Sequence, residues 1–278
     1  MSKECPITIS SWTLGDKCSF EDRVRVSKNA GYEGIGLRVE NYVDALDSGL
    51  TDRDMLSILD KYQIPVTEVE NIEHWAEEQR SYEQKYKEQL CFHMARLFNV
   101  QHINVMLMEK QSLDRVAFAL KELCKRAGDK IIALEPMPYG AVTDLSSGLE
   151  VIEKSGAKNV GLILDHWHWV RAHEPYSLLT EDSAEKIISI QINDARQHSH
   201  SHEELRKESL HDRVAPNQGS HETGKFLTML KKSNVKPKII GVEVNSDRYL
   251  SQGLDFTAQY TYDTSKEVLL KYWPALVM

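Results

Sequence analysis

The chain has 278 residues, 41% of them hydrophobic and 27% charged, which is typical of a soluble globular protein with one large α/β domain or two ordinary ones. Its net charge of −8 argues against nucleic acid as a partner, because nucleic-acid binding usually selects a basic face. No apolar run approaches the roughly 18 residues of a membrane span, and the four cysteines lack ligand spacing, so we expect a cytoplasmic protein with reduced thiols and no membrane partner.

Strand-like apolar runs recur along the whole chain, and helical patterns lie between them. The eight runs cover residues 7–10, 34–37, 65–70, 102–108, 131–135, 161–165, 187–194 and 239–243. The clearest helical patterns cover residues 20–29, 52–62, 77–98 and 256–272. Ser19 and Thr51 stand where N-caps of the first two helices belong, and Gly31 stands where the first helix should end.

Eight strands that alternate with helices predict a (β/α)8 TIM barrel, formed by one domain over residues 1–278. The alternative is a doubly wound open sheet. It is weakened because Gly34-Ile35-Gly36 lacks the third glycine of a dinucleotide-binding loop. Residues 195–220, after the seventh strand, are polar and rich in histidine, and we interpret them as a functional loop on the catalytic face.

The last four predicted strands each carry an oxygen-bearing side chain at or near the carboxyl end, where the active site of this fold lies. Because these strands are adjacent, we predict that the four side chains bind one divalent ion. Carboxylate and amide oxygens favour Mn²⁺ or Mg²⁺ over Zn²⁺ or Co²⁺. For one such residue, a salt bridge with lysine or arginine explains the position equally well, but four in successive units favour a metal. The four residues are Glu135, Asp165, Gln191 and Glu243.

A metal bound in this way makes the proton on the carbon next to a coordinated carbonyl more acidic. Glu135 and Glu243 come from non-neighbouring strands, and we predict that one takes this proton and the other returns it. His168, three residues after Asp165, is predicted to contact a substrate oxygen, with a ligand carboxylate as the alternative partner.

Four further residues are predicted to contact the substrate. Glu70 and Glu109 lie at or just past the ends of strands three and four, where they would bind hydroxyl groups; surface salt bridges are the alternative. Trp12 and Trp75 would pack against the C–H faces of a sugar, with core or lid packing as the alternative for each.

At these residues the chain resembles the xylose-isomerase-like barrel superfamily, which contains sugar isomerases and epimerases, inosose isomerases and dehydratases, and endonucleases. The resemblance covers essentially the full length, and its opening is similar to that of bacterial sugar isomerases near the inosose isomerase branch. It implies the same barrel and a metal site at the strand ends. The segments that carry it are 9–15, 31–37, 133–136, 165–168 and 241–244.

Three parts of the sequence refine this resemblance. Gln191 stands where the family often has histidine, as in hydroxypyruvate-isomerase-like members. Residues 211–219 are similar to the family's loop after strand seven, which implies that Arg213 contacts a substrate oxygen or carboxylate; the departures at 217 and 218 imply a differently shaped loop. The alternating histidines at 198, 200 and 202 are interpreted as a solvated loop, not as the extra zinc ligands of the endonuclease branch.

The sequence therefore predicts a metal-dependent isomerase or epimerase of a ketose or keto-inositol, with a small carbohydrate as its substrate. Two alternatives stay open: a dehydratase of the inosose or dehydroshikimate kind, which would use the same ion and base, and a barrel that binds its ligand without turnover. Assembly into a homo-oligomer is compatible with the sequence.

Overall fold

Eight parallel strands close into a barrel in the order β1 to β8, so the (β/α)8 prediction is confirmed. The computed structural model describes residues 5–197 and 202–278, and only the backbone of residues 202 and 203. The strands agree with the predicted runs to within a few residues. They are β1 (Ile7–Ile9), β2 (Gly34–Arg38), β3 (Val66–Ile72), β4 (His102–Val105), β5 (Ile131–Leu134), β6 (Val160–Asp165), β7 (Ile187–Ile192) and β8 (Ile239–Val242).

The helices surround this barrel, and their ends follow from local chemistry. Ser19 and Thr51 accept hydrogen bonds from the backbone N–H groups of the third residues of their helices, and Gly31 ends the first helix with a φ of 105°. The helices are α1 (Phe20–Ala30), α2 (Val39–Asp47), α3 (Asp52–Tyr62), α4 (Tyr82–Leu97), α5 (Leu113–Ala127), α6 (Leu145–Ser155), α7 (His166–Arg171), α8 (Glu181–Ala184), α9 (His202–His211), α10 (Thr223–Lys232), α11 (Asp247–Leu250) and α12 (Leu254–Tyr272).

Two predictions about helices are corrected. Helix α4 begins at Tyr82 and not at residue 77, because Ser81 accepts a hydrogen bond from the N–H of Gln84 and caps the helix there. The polar segment after β7 is not a loop throughout, because it contains α9, whose glutamate, leucine, arginine and lysine residues are good helix formers.

The buried carboxylate of Asp194, just after β7, forms hydrogen bonds with both ends of the segment 195–222. Asp194 accepts hydrogen bonds from the backbone N–H groups of Ala195, Gly219 and His221 at 2.7–3.1 Å. It also exchanges backbone hydrogen bonds with Val214. The path of this segment over the barrel is therefore fixed at several points by one residue.

Two glutamates of β3 lie inside the barrel, where the strand buries both of them. Glu68 and Glu70 are two residues apart and so share one face of the strand. Gly36 of β2 makes room for them, because a Cβ at this position would collide with Oε1 of Glu70. The carboxyl end of the barrel is thus polar and acidic inside.

Within the described ranges, no helix combines the length and the apolar character that a bilayer crossing requires.

Candidate active site

A cavity of about 80 Å³ lies at the carboxyl end of the strands and brings most of the predicted site residues together. Its wall also contains Asn104, Tyr139, Arg206 and Ser209, which the sequence did not single out. The predicted residues that line it are Trp12, Glu70, Glu135, His168, Gln191, Arg213 and Glu243.

Three predicted site residues do not line this cavity. Trp75 is buried beside it, and its indole N–H donates to the carbonyl of Met106 at 2.8 Å, as in the core-packing alternative. Oε1 of Glu109 lies 2.7 Å from Nδ1 of His74, as in the salt-bridge alternative. Asp165 lies behind the wall, completely buried.

Both oxygens of Asp165 accept hydrogen bonds from the protein. Oδ1 accepts from the backbone N–H of His168 at 2.9 Å, while Oδ2 accepts from Asn193 at 2.6 Å and from Nη1 of Arg213 at 2.9 Å. Burial by itself would raise the pKa of Asp165, but the charge of Arg213 and these hydrogen bonds outweigh it, so the pKa lies below its ordinary value.

Arg213 is a buried cation whose guanidinium group is used entirely within the protein. Nε and Nη2 donate to the carbonyl and the hydroxyl of Ser209 at 2.9 and 2.8 Å. Nη1 also donates to Asp165 at 2.9 Å and to the carbonyl of Glu243 at 3.5 Å. Nη2 lies 3.3 Å from Oε1 of Glu243 and 3.4 Å from Nε2 of His168. This arrangement holds the charge of Arg213 against two of the predicted metal ligands.

Glu135 and Glu243 follow β5 and β8 and face the same cavity. Burial raises the pKa of Glu135 to about 8, and the nearby charge of Asp165 adds to this effect. Burial also raises the pKa of Glu243 to about 8, although Arg213 acts in the opposite direction. Each carboxyl group can therefore give or take a proton near neutral pH.

His168 lies between these groups and is neutral at pH 7, because burial lowers its pKa to about 3 even though Asp165 opposes the shift. Its Nε2 lies 3.3 Å from Oε1 of Glu135 and 3.4 Å from Nη2 of Arg213. Of these two contacts, the one with Arg213 has the geometry of a hydrogen bond, in which the neutral imidazole accepts through Nε2.

Glu68 is the main acidic residue that the sequence analysis did not select. It is buried below the cavity, and its Oε2 accepts a hydrogen bond from Asn104 at 3.3 Å. The signal was present in the sequence, because glutamates at 68 and 70 share one face of an apolar strand. Ser209 and Tyr139, whose hydroxyls are 2.9 Å apart, lie outside any motif and gave no local signal.

The donor chemistry of the predicted metal ligands fits a divalent ion. Oε1 of Glu135 and Oε1 of Gln191 are buried and accept no hydrogen bond, which is costly for a polar atom unless a cation or another donor binds there. Oxygen donors of this kind suit Mn²⁺ or Mg²⁺.

The ligand atoms are not, however, gathered around one point. In the described part of the chain, one group of three His, Cys, Asp or Glu residues has its ligand atoms within 4.8 Å of one another. This group could hold an ion, and it consists of His74, Glu77 and Glu109. Nε2 of Gln191 donates to Glu243 at 2.6 Å, so the amide oxygen points elsewhere. The prediction that one ion binds all four strand-end residues stays a prediction.

The alternating histidines after β7 are interpreted as part of a solvated loop. His198 and His200 lie outside the described residues, as does the side chain of His202. Their interpretation as a solvated loop also stays a prediction.

Comparison with known proteins agrees with the resemblance carried by the strand-end motifs. The family model of the xylose isomerase-like TIM barrel matches residues 24–264. An inosose isomerase of Halalkalibacterium halodurans is 27% identical over 166 residues, which are 59% of this chain and 56% of that relative. The match thus spans little more than half of the relative's length.

Several solved structures share the fold over nearly the full chain. The IolI protein with a bound zinc atom has a TM-score of 0.83 at 18% identity, covering 96% of this chain and 99% of that one. An L-ribulose 3-epimerase has a TM-score of 0.72 at 14% identity, covering 96% and 95%. The probable 3-DHS dehydratase AsbF of Bacillus anthracis has a TM-score of 0.75 at 14% identity, covering 94% and 98%. At these identities the likeness establishes the fold.

Proposed function

This chain belongs to the xylose isomerase-like TIM barrel family, and on that premise we propose that it is an isomerase or epimerase of a small keto-carbohydrate, a ketose or keto-inositol. The observation that carries the proposal is the pair of glutamates, Glu135 and Glu243, which line one cavity from the ends of β5 and β8. The inosose isomerase relative and the epimerase of the same fold support this class of reaction.

In the proposed reaction, one glutamate removes the proton from the carbon next to the carbonyl. The other glutamate returns a proton, either to the neighbouring carbon, which gives an isomer, or to the opposite face of the same carbon, which gives an epimer. No oxidant or second substrate is needed, because the electron pair of the broken C–H bond stays in the substrate and one proton is returned to carbon for each one removed. In the isomer, the neighbouring hydroxyl also loses its proton and the former carbonyl oxygen gains one. The raised pKa values of Glu135 and Glu243 match this role, since a base and its conjugate acid are then both populated near pH 8.

His168 and Arg213 have supporting roles in this proposal. The neutral imidazole of His168 lines the cavity beside Glu135 and can donate a hydrogen bond to a substrate oxygen on which negative charge develops. Arg213 contacts Glu243 and His168 from behind and keeps both side chains in place.

We further propose that a divalent ion, Mn²⁺ or Mg²⁺, is bound by the four strand-end residues. When bound, it would polarise the carbonyl of the substrate and acidify the neighbouring C–H bond. Glu135 and Gln191 contribute the oxygens that lack partners, whereas Asp165 would have to share an oxygen that already accepts a hydrogen bond. The cytoplasmic location and the oligomeric state stay predictions.

The proposed reaction is tested by incubating the protein with a panel of ketoses and keto-inositols in D₂O, with Mn²⁺ or Mg²⁺ added. We expect a product that carries solvent deuterium on the carbon next to the carbonyl and has lost no water. Loss of water from the substrate would instead favour the dehydratase alternative. A ligand that binds tightly without any exchange would contradict the proposal and favour a barrel without turnover.

Replacing Gln191 by histidine tests whether this residue is a metal ligand. Imidazole is a softer donor than an amide oxygen, so Gln191→His should shift the preference from Mn²⁺ towards Zn²⁺ or Co²⁺. Isothermal titration calorimetry with each ion gives the ratio of affinities, and Gln191→Glu, which keeps an oxygen donor, is the matched control. An unchanged ratio in the histidine variant would mean that Gln191 does not bind the ion.

A further inference from the structure

The two arginines that line the cavity use their guanidinium groups differently. All donors of Arg213 are directed at protein groups, as described above, so this residue has no donor left for a substrate. Arg206, in contrast, makes no hydrogen bond or ion pair with any residue in the described ranges. The arginine with unused donors is therefore Arg206, while the contact of Arg213 with a substrate stays a prediction.

Arg206 is held at the cavity by its helix. Arg206, Ser209 and Leu210 all line the cavity, and their spacing of three and four residues places them on one face of α9. The helix is anchored from another side, where Arg171 donates to Glu208 at 3.0 Å in a buried ion pair. The exposed side chain of Arg206 is thus presented at the entrance by a fixed element.

The charges along the wall divide the cavity into two parts. Glu70, Glu135 and Glu243 place three buried carboxyl groups around the inner part, where burial and these groups both disfavour a further negative charge. Arg206 is exposed, whereas these three glutamates are buried, so Arg206 lies at the outer end of the same cavity. A substrate with its carbonyl at Glu135 and Glu243 therefore directs its other end towards α9.

We infer that Arg206 binds an anionic group of the substrate, a carboxylate or a phosphate, at the entrance of the cavity. The substrate is then a keto-carbohydrate with a charged end, oriented with its carbonyl towards Glu135 and Glu243 and its charge towards α9. A planar guanidinium fork suits either oxyanion. This inference rests on the proposed function, because it specifies the substrate class of the same site.

Binding of small probes tests the inference without any turnover. Lactate and 1,2-propanediol have the same carbon skeleton and differ in the carboxylate, and inorganic phosphate serves as the second anion. Isothermal titration calorimetry at constant ionic strength compares the wild type with Arg206→Gln, and Lys207→Gln is the control because Lys207 is exposed on the same helix but does not line the cavity.

We expect Arg206→Gln to lower the affinity for the better-bound anion about tenfold or more, which corresponds to one charge-assisted hydrogen bond. The affinity of Lys207→Gln for the anion and the affinity of Arg206→Gln for 1,2-propanediol should not change. The ratio of lactate to phosphate affinity in the wild type then distinguishes a carboxylate from a phosphate substrate. Equal anion affinity in the wild type and Arg206→Gln, an equal loss in Lys207→Gln, or no anion binding to the wild type would each overturn the inference.

A kinetic comparison separates this inference from the proposed function. Deuterium exchange is measured with dihydroxyacetone and dihydroxyacetone phosphate, a neutral and a charged ketose. In Arg206→Gln we expect KM to rise for the charged compound alone, with kcat unchanged. If neither compound nor any other ketose exchanges deuterium, the proposed function fails, while the calorimetric result still decides whether Arg206 binds anions.

Discussion

Replacing Glu135 or Glu243 by glutamine is expected to lower turnover by about 10²- to 10⁴-fold, the usual contribution of a general acid or base. Glutamine keeps the shape of the side chain and one acceptor oxygen, but it cannot exchange a proton at neutral pH. Product formation and deuterium exchange are measured at saturating substrate and metal. Exchange without product in one variant would identify the other glutamate as the base that removes the proton.

The same two substitutions are expected to stabilise the fold above about pH 5. The pKa of each glutamate is about 8 in the folded protein, against an ordinary value of 4.5, so the folded state binds more protons than the unfolded state between these values. The free energy of unfolding of the wild type therefore falls as the pH rises from about 4.5 to 8. Glutamine does not titrate, so the variants lack this pH-dependent decrease.

Thermal unfolding between pH 5 and pH 9 in a chelating buffer measures this effect. The gain in melting temperature of Glu135→Gln and Glu243→Gln should grow as the pH rises towards 8. Glu122→Gln is the control, because Glu122 is a half-exposed residue that pairs with Lys125.

The turnover prediction has its own contradicting outcome. Near-wild-type product formation in Glu135→Gln or Glu243→Gln would show that this glutamate does not carry the proton, and His168 would then be the next candidate.

Replacing Arg213 by methionine is expected to lower the free energy of unfolding by about 3–5 kcal/mol, the usual effect of leaving a buried charge without its partner. Arg213 and Asp165 are both almost completely buried, with Nη1 2.9 Å from Oδ2. Methionine fills much of the same volume but leaves the carboxylate of Asp165 without its cation. Urea denaturation at pH 7 measures the loss.

Two further variants show whether the loss comes from this ion pair. Asp165→Asn in the Arg213→Met background should restore part of the stability, because the uncompensated charge is then gone. Arg196→Met breaks a half-exposed pair with Asp212 at 3.1 Å and should cost less than about 1 kcal/mol. If Arg213→Met were as stable as the wild type, Asp165 would not depend on this arginine.

Periodicity along the chain predicted those features that depend on neighbouring residues. The apolar runs gave the strands, and the side chains at their ends, such as Glu135 and Glu243, meet because parallel strands end on the same side of a barrel. Capping residues such as Ser19 gave the start of a helix for the same reason, since the hydrogen bond is made three residues away.

Periodicity could not predict the contacts that depend on the path of the long segment 195–222. Arg213 reaches Asp165 from 48 residues along the chain, and Arg206 lines the cavity because α9 folds over the barrel. No local pattern gives the direction of such a segment. Trp75 shows the converse, because an aromatic residue near a strand end can pack into the core as readily as it lines a pocket.

The anchoring of the segment 195–222 by Asp194 has a consequence for how the substrate range of such a barrel can diverge. The segment carries Arg206 and Arg213, whereas the proposed proton-transfer residues belong to the strand ends. Since one carboxylate holds both ends of the segment, its interior can change in length and sequence while its attachment stays the same. We expect that the residues of this region that do not contact the strand ends can be exchanged between related barrels, which would change ligand preference, while Arg213 must be kept because it contacts Asp165 and Glu243.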